Sequence, residues 1–190
     1  NDIMPEEKNR IETDKRSTWL FCPTHTALEN LKNEGIQGKI YKTGDVMYDA
    51  ALFFALIAKE KSTILTDLRL REKKFILATI HRAENTNAVN LTDIFHAFVK
   101  TATKEVPIIL PLHPRTRKII DESASLKRLT CVNKNLIFIE PVNYLDMILL
   151  EKNASMILTD SGGMQKEAYF HRTPCITLRN ETEWVETVSA

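Results

Sequence analysis

Glycine is scarce in this chain, with five residues in 190. That excludes a Gly/Ser linker, a collagen-like repeat and low-complexity sequence. Neither a GxGxxG nor a Walker lysine motif occurs, so dinucleotide and P-loop readings lose support. Cysteine is scarcer: Cys22, Cys131 and Cys175 are odd in number, far apart and without a CxxC pair. This excludes a small disulfide scaffold and a zinc framework, and fits reduced thiols in the cytoplasm. An excess of one charge is also missing, because 26 Lys+Arg against 25 Asp+Glu leave +1. No strong field would recruit nucleic acid or an anionic membrane, and neither partner is expected. The best apolar run, 50–58, is about half a membrane span. His81, His113 and Asp160 are too mixed to form a consistent metal set, so no metal is expected. The chain opens at Asn1 without the pattern of a signal or transit peptide, and closes in an uncapped helix-like run over 183–190. The ends therefore suggest a cytoplasmic fragment.

What is present is a 43% apolar chain in which short β-branched and aromatic runs alternate with longer amphipathic ones. Strands are expected at 19–23, 39–43, 75–80, 107–112, 136–140, 154–159 and 174–178. Helices are expected at 24–34, 46–61, 62–70, 89–104, 114–125, 144–152 and 163–171. Most strand runs are continuously apolar rather than alternating, as in strands buried on both faces. The expected fold is therefore α/β, a parallel sheet with helices on both faces. Thr24 and Asn143 suit helix starts, and Gly35 a helix end. Gly44-Asp45 reads either as a hinge between 1–45 and an α/β unit from 46 onward, or as a turn in which Asp45 caps the next helix.

Open parallel sheets bind ligands beyond the carboxyl ends of their strands. At those ends stand 81–85 (HRAEN), 113–117 (HPRTR), Glu140-Pro141, 160–163 (DSGG) and 179–183 (RNETE). The turn before the helix at Gly163 suits an anion, because free backbone N–H groups and the helix dipole meet where glycine allows close approach. Ser161 can equally be a plain cap. Glu167 follows four residues after Gly163 on the same helix face, where a carboxylate can accept from ribose hydroxyls. Phosphate plus ribose describes a nucleotide. His81 can protonate or stabilise a leaving phosphate oxygen, and Arg82 can pair with phosphate. His113 serves either a ligand or its own backbone, and Arg179 either phosphate or an ion pair with Glu181 or Glu183. Arg115 and Arg117 read as solvated helix charges; His25, His96 and His171 read as structural.

The segments 81–85 (HRAEN), 110–116 (LPLHPRT), 159–168 (TDSGGMQKEA) and 179–186 (RNETEWVE) together resemble the non-hydrolysing UDP-N-acetylglucosamine 2-epimerase family. So do 2–10 (DIMPEEKNR) and 43–50 (TGDVMYDA). The resemblance spans essentially the whole chain and implies one half of a GT-B architecture, two Rossmann-like domains closing on a UDP-sugar. Residues 1–45 would be the tail of the first domain and the hinge, and 46–190 an incomplete second, UDP-binding domain. It implies Glu6, Arg10 and His81 as catalytic residues, and Arg82, His113, Ser161, Gly162, Glu167 and Arg179 as UDP-binding residues. No cofactor is implied beyond the UDP-sugar, with Arg82 touching a second, regulatory UDP-sugar, and full-length relatives are expected to be homodimers. The implied reaction interconverts UDP-GlcNAc and UDP-ManNAc by elimination and re-addition of UDP. The alternatives are a catalytically incomplete UDP-binding remnant and a GT-B glycosyltransferase. Phe53, Phe54 and Leu56 are expected to expose apolar surface.

Overall fold

The computed structural model describes residues 5–82, 84–180, 182, 184 and 187, apart from the side chains of Pro5, Glu6 and Ala88. The Glu6 side chain, Glu181, Glu183 and most of the expected 183–190 helix lie outside the described residues. The chain forms two compact units, residues 1–50 and 51–190.

In the first unit, helix α1 (Pro5–Arg16) precedes strand β1 (Trp19–Cys22), helix α2 (His25–Asn33) and strand β2 (Lys39–Lys42). The two strands pair in parallel, with Trp19 opposite Lys39 and Cys22 opposite Lys42. Side-chain alternation along β1 buries Leu20 and Cys22 with Leu31, while Trp19 and Phe21 stay exposed. Thr24 caps α2 by accepting from the Ala27 N–H at 3.1 Å, and Gly35 beyond its end has φ +68°, a left-handed conformation glycine takes without Cβ strain. Helix α1 was not legible as a helix. Its sequence, PEEKNRIETDKR, has a single apolar residue and therefore no hydrophobic period; ion pairs brace it instead.

Helix α3 (Val46–Lys61) runs across the division at Ala50. Asp45 accepts from the Met47 N–H at 2.9 Å, as a capping residue does. There follow α4 (Ile64–Asp67), β3 (Ile76–Thr79), α5 (Ala88–Thr101), β4 (Ile108–Pro111), α6 (Pro114–Glu122), α7 (Ala124–Cys131), β5 (Leu136–Ile139), α8 (Tyr144–Asn153), β6 (Met156–Thr159), α9 (Gly162–Phe170) and β7 (Cys175–Thr177). The sheet order is β5-β4-β3-β6-β7, parallel throughout. Its two faces carry separate cores. Ile76 and Ala78 pack with Leu91, Phe95 and Phe98 of α5 and Leu126 of α7, whereas Phe75 and Leu77 pack with Leu150 of α8 and Met164 of α9. Alternate residues of one strand thus feed opposite cores, which is why β3 reads as an unbroken apolar run.

Each of the seven strands among the described residues lies inside its expected run. The expected helix over 114–125 is two helices. Ser123 leaves the helical region (φ −104°, ψ 108°) and its hydroxyl accepts from Leu126 N–H to start α7, a local side-chain bond that competes with helix continuation. His171 is not in a helix but caps the end of α9. Phe53 and Leu56 are exposed as expected, whereas Phe54 is half-buried, edge-on to Phe53 and Tyr144.

Candidate nucleotide site at the sheet switch point

The order of strands reverses between β3 and β6, since the chain leaves β3 toward β4 and β5 and leaves β6 toward β7. The connections at their carboxyl ends part there and open a crevice suited to a ligand. Thr79 and Thr159 stand opposite each other at that end, with hydroxyls 2.6 Å apart. Thr159 Oγ1 also accepts from the Ser161 N–H at 3.0 Å, which turns the chain out of β6.

Asp160 organises the crevice. Its carboxylate, fully buried, accepts from the backbone N–H of His81 (3.1 and 3.2 Å) and of Arg82 (3.0 Å), and from Asn85 Nδ2 (3.1 Å). Asn85 Nδ2 also donates to Leu178 O at 2.8 Å, so one amide ties the loops after β3, β6 and β7. Burial alone would raise the Asp160 carboxyl, but the His81 imidazole, the Arg82 N–H and the Asn85 amide hold it below the usual carboxylate value. His81 Nδ1 lies 3.2 Å from Asp160 Oδ1. A proton on Nδ1 is thereby fixed, and in the neutral ring Nε2 is left as the acceptor.

Ser161 begins α9 and its hydroxyl accepts from the Met164 N–H. Gly162 is buried and opens a nine-residue helix with first-turn N–H groups at its head, an arrangement that suits an anion, while the Ser161 bond is that of a cap. Glu167 lies on the same helix. Burial raises its carboxyl, opposed by the Tyr144 hydroxyl, 3.4 Å away, and by Lys166. Lys166 lies 4.1 Å over the Trp184 ring. Met164 packs in the core.

His113 heads α6 on the neighbouring strand end, and its Nδ1 accepts from the Arg115 N–H at 3.2 Å. The neutral ring is therefore protonated at Nε2, a hydrogen-bond donor. Thr116 locks this turn to β3 through Ile80 O at 3.1 Å. Arg117 pairs with Glu140 at 2.7 Å, in keeping with a solvated helix charge. Arg179 follows Leu178, the residue whose carbonyl Asn85 holds. Arg10 lies in the first unit, on α1, in ion pairs with Glu7 (2.7 Å), Asp14 (2.7 Å) and Glu34 (2.6 Å).

The crevice thus gathers His81, Arg82, Ser161 and Gly162, with Glu167 further along the helix. Sequence reasoning placed Asp160 and Asn85 on this rim without a role, and missed Tyr144. An acid directly after a buried strand was the available signal for Asp160's role. An open cleft of about 820 Å³ runs along the β7 edge from Arg172 to Arg179. Neither His81 nor Asp160 lines it. Among the described residues, no group of three or more His, Cys, Asp or Glu could hold a metal, and no helix is long and apolar enough to cross a membrane.

Such a parallel unit with a polar crevice at its switch point belongs to the Rossmann-like α/β class. Residues 1–190 match the family described as UDP-N-acetylglucosamine 2-epimerase. A UDP-N-acetylglucosamine 2-epimerase homolog of Methanococcus maripaludis is 54% identical over 97% of this chain and 51% of its own length. A UDP-2,3-diacetamido-2,3-dideoxy-D-glucuronate 2-epimerase of Pseudomonas aeruginosa is 50% identical over 100% and 51%. The structure of Methanocaldococcus jannaschii UDP-GlcNAc 2-epimerase in complex with UDP-GlcNAc and UDP superposes with TM-score 0.85 at 42% identity, covering 98% of this chain and 52% of that one. The chain belongs to the UDP-N-acetylglucosamine 2-epimerase family, and it spans about half the length of the curated relatives it matches.

Proposed function

We propose that the chain is the nucleotide-binding half of a UDP-N-acetylglucosamine 2-epimerase of GT-B architecture, working in the cytoplasm. The supporting observation is the buried Asp160 carboxylate, which joins the His81 loop to the N-terminus of α9 at the switch point. In this reading the UDP diphosphate sits on the Ser161–Gly162 helix start, flanked by Arg82, Arg179 and the His113 Nε2 donor. Glu167 accepts from the ribose hydroxyls. His81, oriented by Asp160, meets the departing phosphate oxygen or exchanges a proton with the sugar. The reaction removes the C2 proton and expels UDP from C1, leaving an unsaturated sugar. Returning the proton to the opposite face of C2 and UDP to C1 gives the manno epimer. Glu6 and Arg10 complete the sugar side, and residues 1–45 belong to the tail of the first domain. The three unpaired cysteines support the cytoplasmic setting.

Titration calorimetry with UDP tests the site. Binding is expected in the parent chain and weakened about tenfold or more in Glu167→Gln, the scale of a lost hydrogen bond to a charged group; undiminished binding in that variant would remove Glu167. Catalysis is tested by UDP-dependent deuterium incorporation at C2 in heavy water, expected to vanish in His81→Ala. UDP binding without exchange in the parent chain would identify a binding unit that lacks the catalytic machinery.

A second substrate is favoured by one comparison. The 2,3-diacetamido-glucuronate epimerase is 50% identical to this chain, below the 54% of the UDP-N-acetylglucosamine 2-epimerase homolog but above the 41% and 43% of two relatives named UDP-N-acetylglucosamine 2-epimerase. Exchange measured side by side on both UDP-sugars decides between them.

A further inference from the structure

Beyond the crevice, Glu151 lies in α8 with no exposed surface, and neither carboxyl oxygen has a hydrogen-bond partner among the described residues. His171, which caps α9, places Nε2 4.0 Å from Glu151 Oε2; its side chain is 2% exposed and Nε2 is likewise without a partner. Burying either group unsatisfied is costly, yet the two are complementary. A protonated carboxyl has one O–H to give and a neutral imidazole one lone pair to receive it. The neutral arrangement also avoids desolvating two charges.

The surroundings favour it. Glu167 approaches from α9, Tyr144 and Lys152 share α8, and Cys175 stands on β7. Lys73, ahead of β3, donates to the carbonyls of Lys152 and Ala154, both at 2.8 Å. Thr173, just after His171, donates to the Glu151 carbonyl at 2.9 Å. Burial, then Lys152 and Lys73, push the His171 imidazole down to about 4. Burial, then the Glu167 charge, push the Glu151 carboxyl well up.

We propose that Glu151 and His171 share one proton as a buried positioning pair, holding α9 against α8 and setting Glu167 for the nucleotide. The positioning half rests on the nucleotide-site reading above. Sharing the proton draws Oε2 and Nε2 about 1 Å closer than their 4.0 Å separation, and no other group gains or loses charge. When Glu151 ionises, a second negative charge acts on Glu167.

Infrared spectroscopy of the whole chain tests the pair. A protonated-carboxyl band is expected at neutral pH, absent in Glu151→Gln and moved to the frequency of an unbonded carboxyl in His171→Leu. No such band, or one indifferent to both changes, overturns the pair. UDP titrations across pH test the positioning. Affinity in the parent is expected to fall about fivefold on the alkaline side, the low end of ordinary coupling between sites, and to stay flat in Glu151→Gln. A merely structural Glu151 would lower affinity equally at every pH, and an unchanged slope in the variant overturns the role. If the parent binds no UDP, the nucleotide reading and the positioning role both fall, while the infrared result still decides the pair. Should Glu151→Gln not fold, the His171→Leu band shift and the parent's slope remain decisive.

Discussion

At the scale of single residues, Asp160 carries the most structure for its size. One carboxylate satisfies two backbone N–H groups and an amide and orients an imidazole. Asp160→Asn keeps the volume but turns an amide N–H₂ toward donors, and should cost about 3 kcal/mol, the scale for breaking a buried charged hydrogen-bond set. The folded carboxyl lies below its unfolded value. The stabilisation is therefore fully present above about pH 4, the ordinary aspartate value, and is lost as pH falls through the lower folded value. Denaturant melts from pH 7 downward should show parent and variant separated by a constant gap that closes only in strong acid. A gap independent of pH would assign the cost to packing instead. The polar character of this rim was readable, since His81-Arg82 and Asp160-Ser161 directly follow mostly apolar strand runs. Asp160 as its organiser was not, because only the parallel register of β3 and β6 brings residue 160 to residues 81 and 82.

At the scale of elements, helix starts separate stability from function. Ser161 caps α9 and Asn143 caps α8, each by a side-chain acceptor to a first-turn N–H. Ser161→Ala and Asn143→Ala should each lower stability by about 1 kcal/mol. Only Ser161→Ala should also weaken UDP, because α9 presents its N-terminus to the crevice. Melting curves paired with UDP titrations check this, and equal losses of affinity in both variants would remove the helix start from the site. Caps of this kind, with the apolar strand runs, are what made the element order legible. The division at Ser123 was not, because only the serine's own side-chain bond to the Leu126 N–H marks it. Helix α1 escaped for the opposite reason: Arg10 with Glu7, Asp14 and Glu34 supplies contacts that no hydrophobic period announces.

At the scale of the molecule, the two units differ sharply in how much apolar surface they bury. The 51–190 unit has cores on both sheet faces, including Phe75, Phe95, Leu77, Ile109 and Ile157 with almost no exposure. Residues 1–50 rest on a cluster of Leu20, Cys22 and Leu31 beneath a two-stranded sheet. A core of that size supplies little stability on its own, and a two-stranded pairing is marginal without a larger apolar face. Cooperative opening follows local burial. Amide hydrogen exchange should therefore separate the units. Leu20 and Tyr41, in β1 and β2, should exchange at least tenfold faster than Leu77, Ile109 and Leu158 of the five-stranded sheet, a gap of about 1.4 kcal/mol in opening free energy. Gly38 offers a sharper probe of the same unit. A Cβ there would lie 2.7 Å from the Ser17 carbonyl, so Gly38→Ala should speed exchange in β1 and β2 while leaving β3, β4 and β6 unchanged. Equal acceleration across both sheets would show that the chain opens as one cooperative body, and that the small cluster around Leu20 draws its stability from the rest of the molecule.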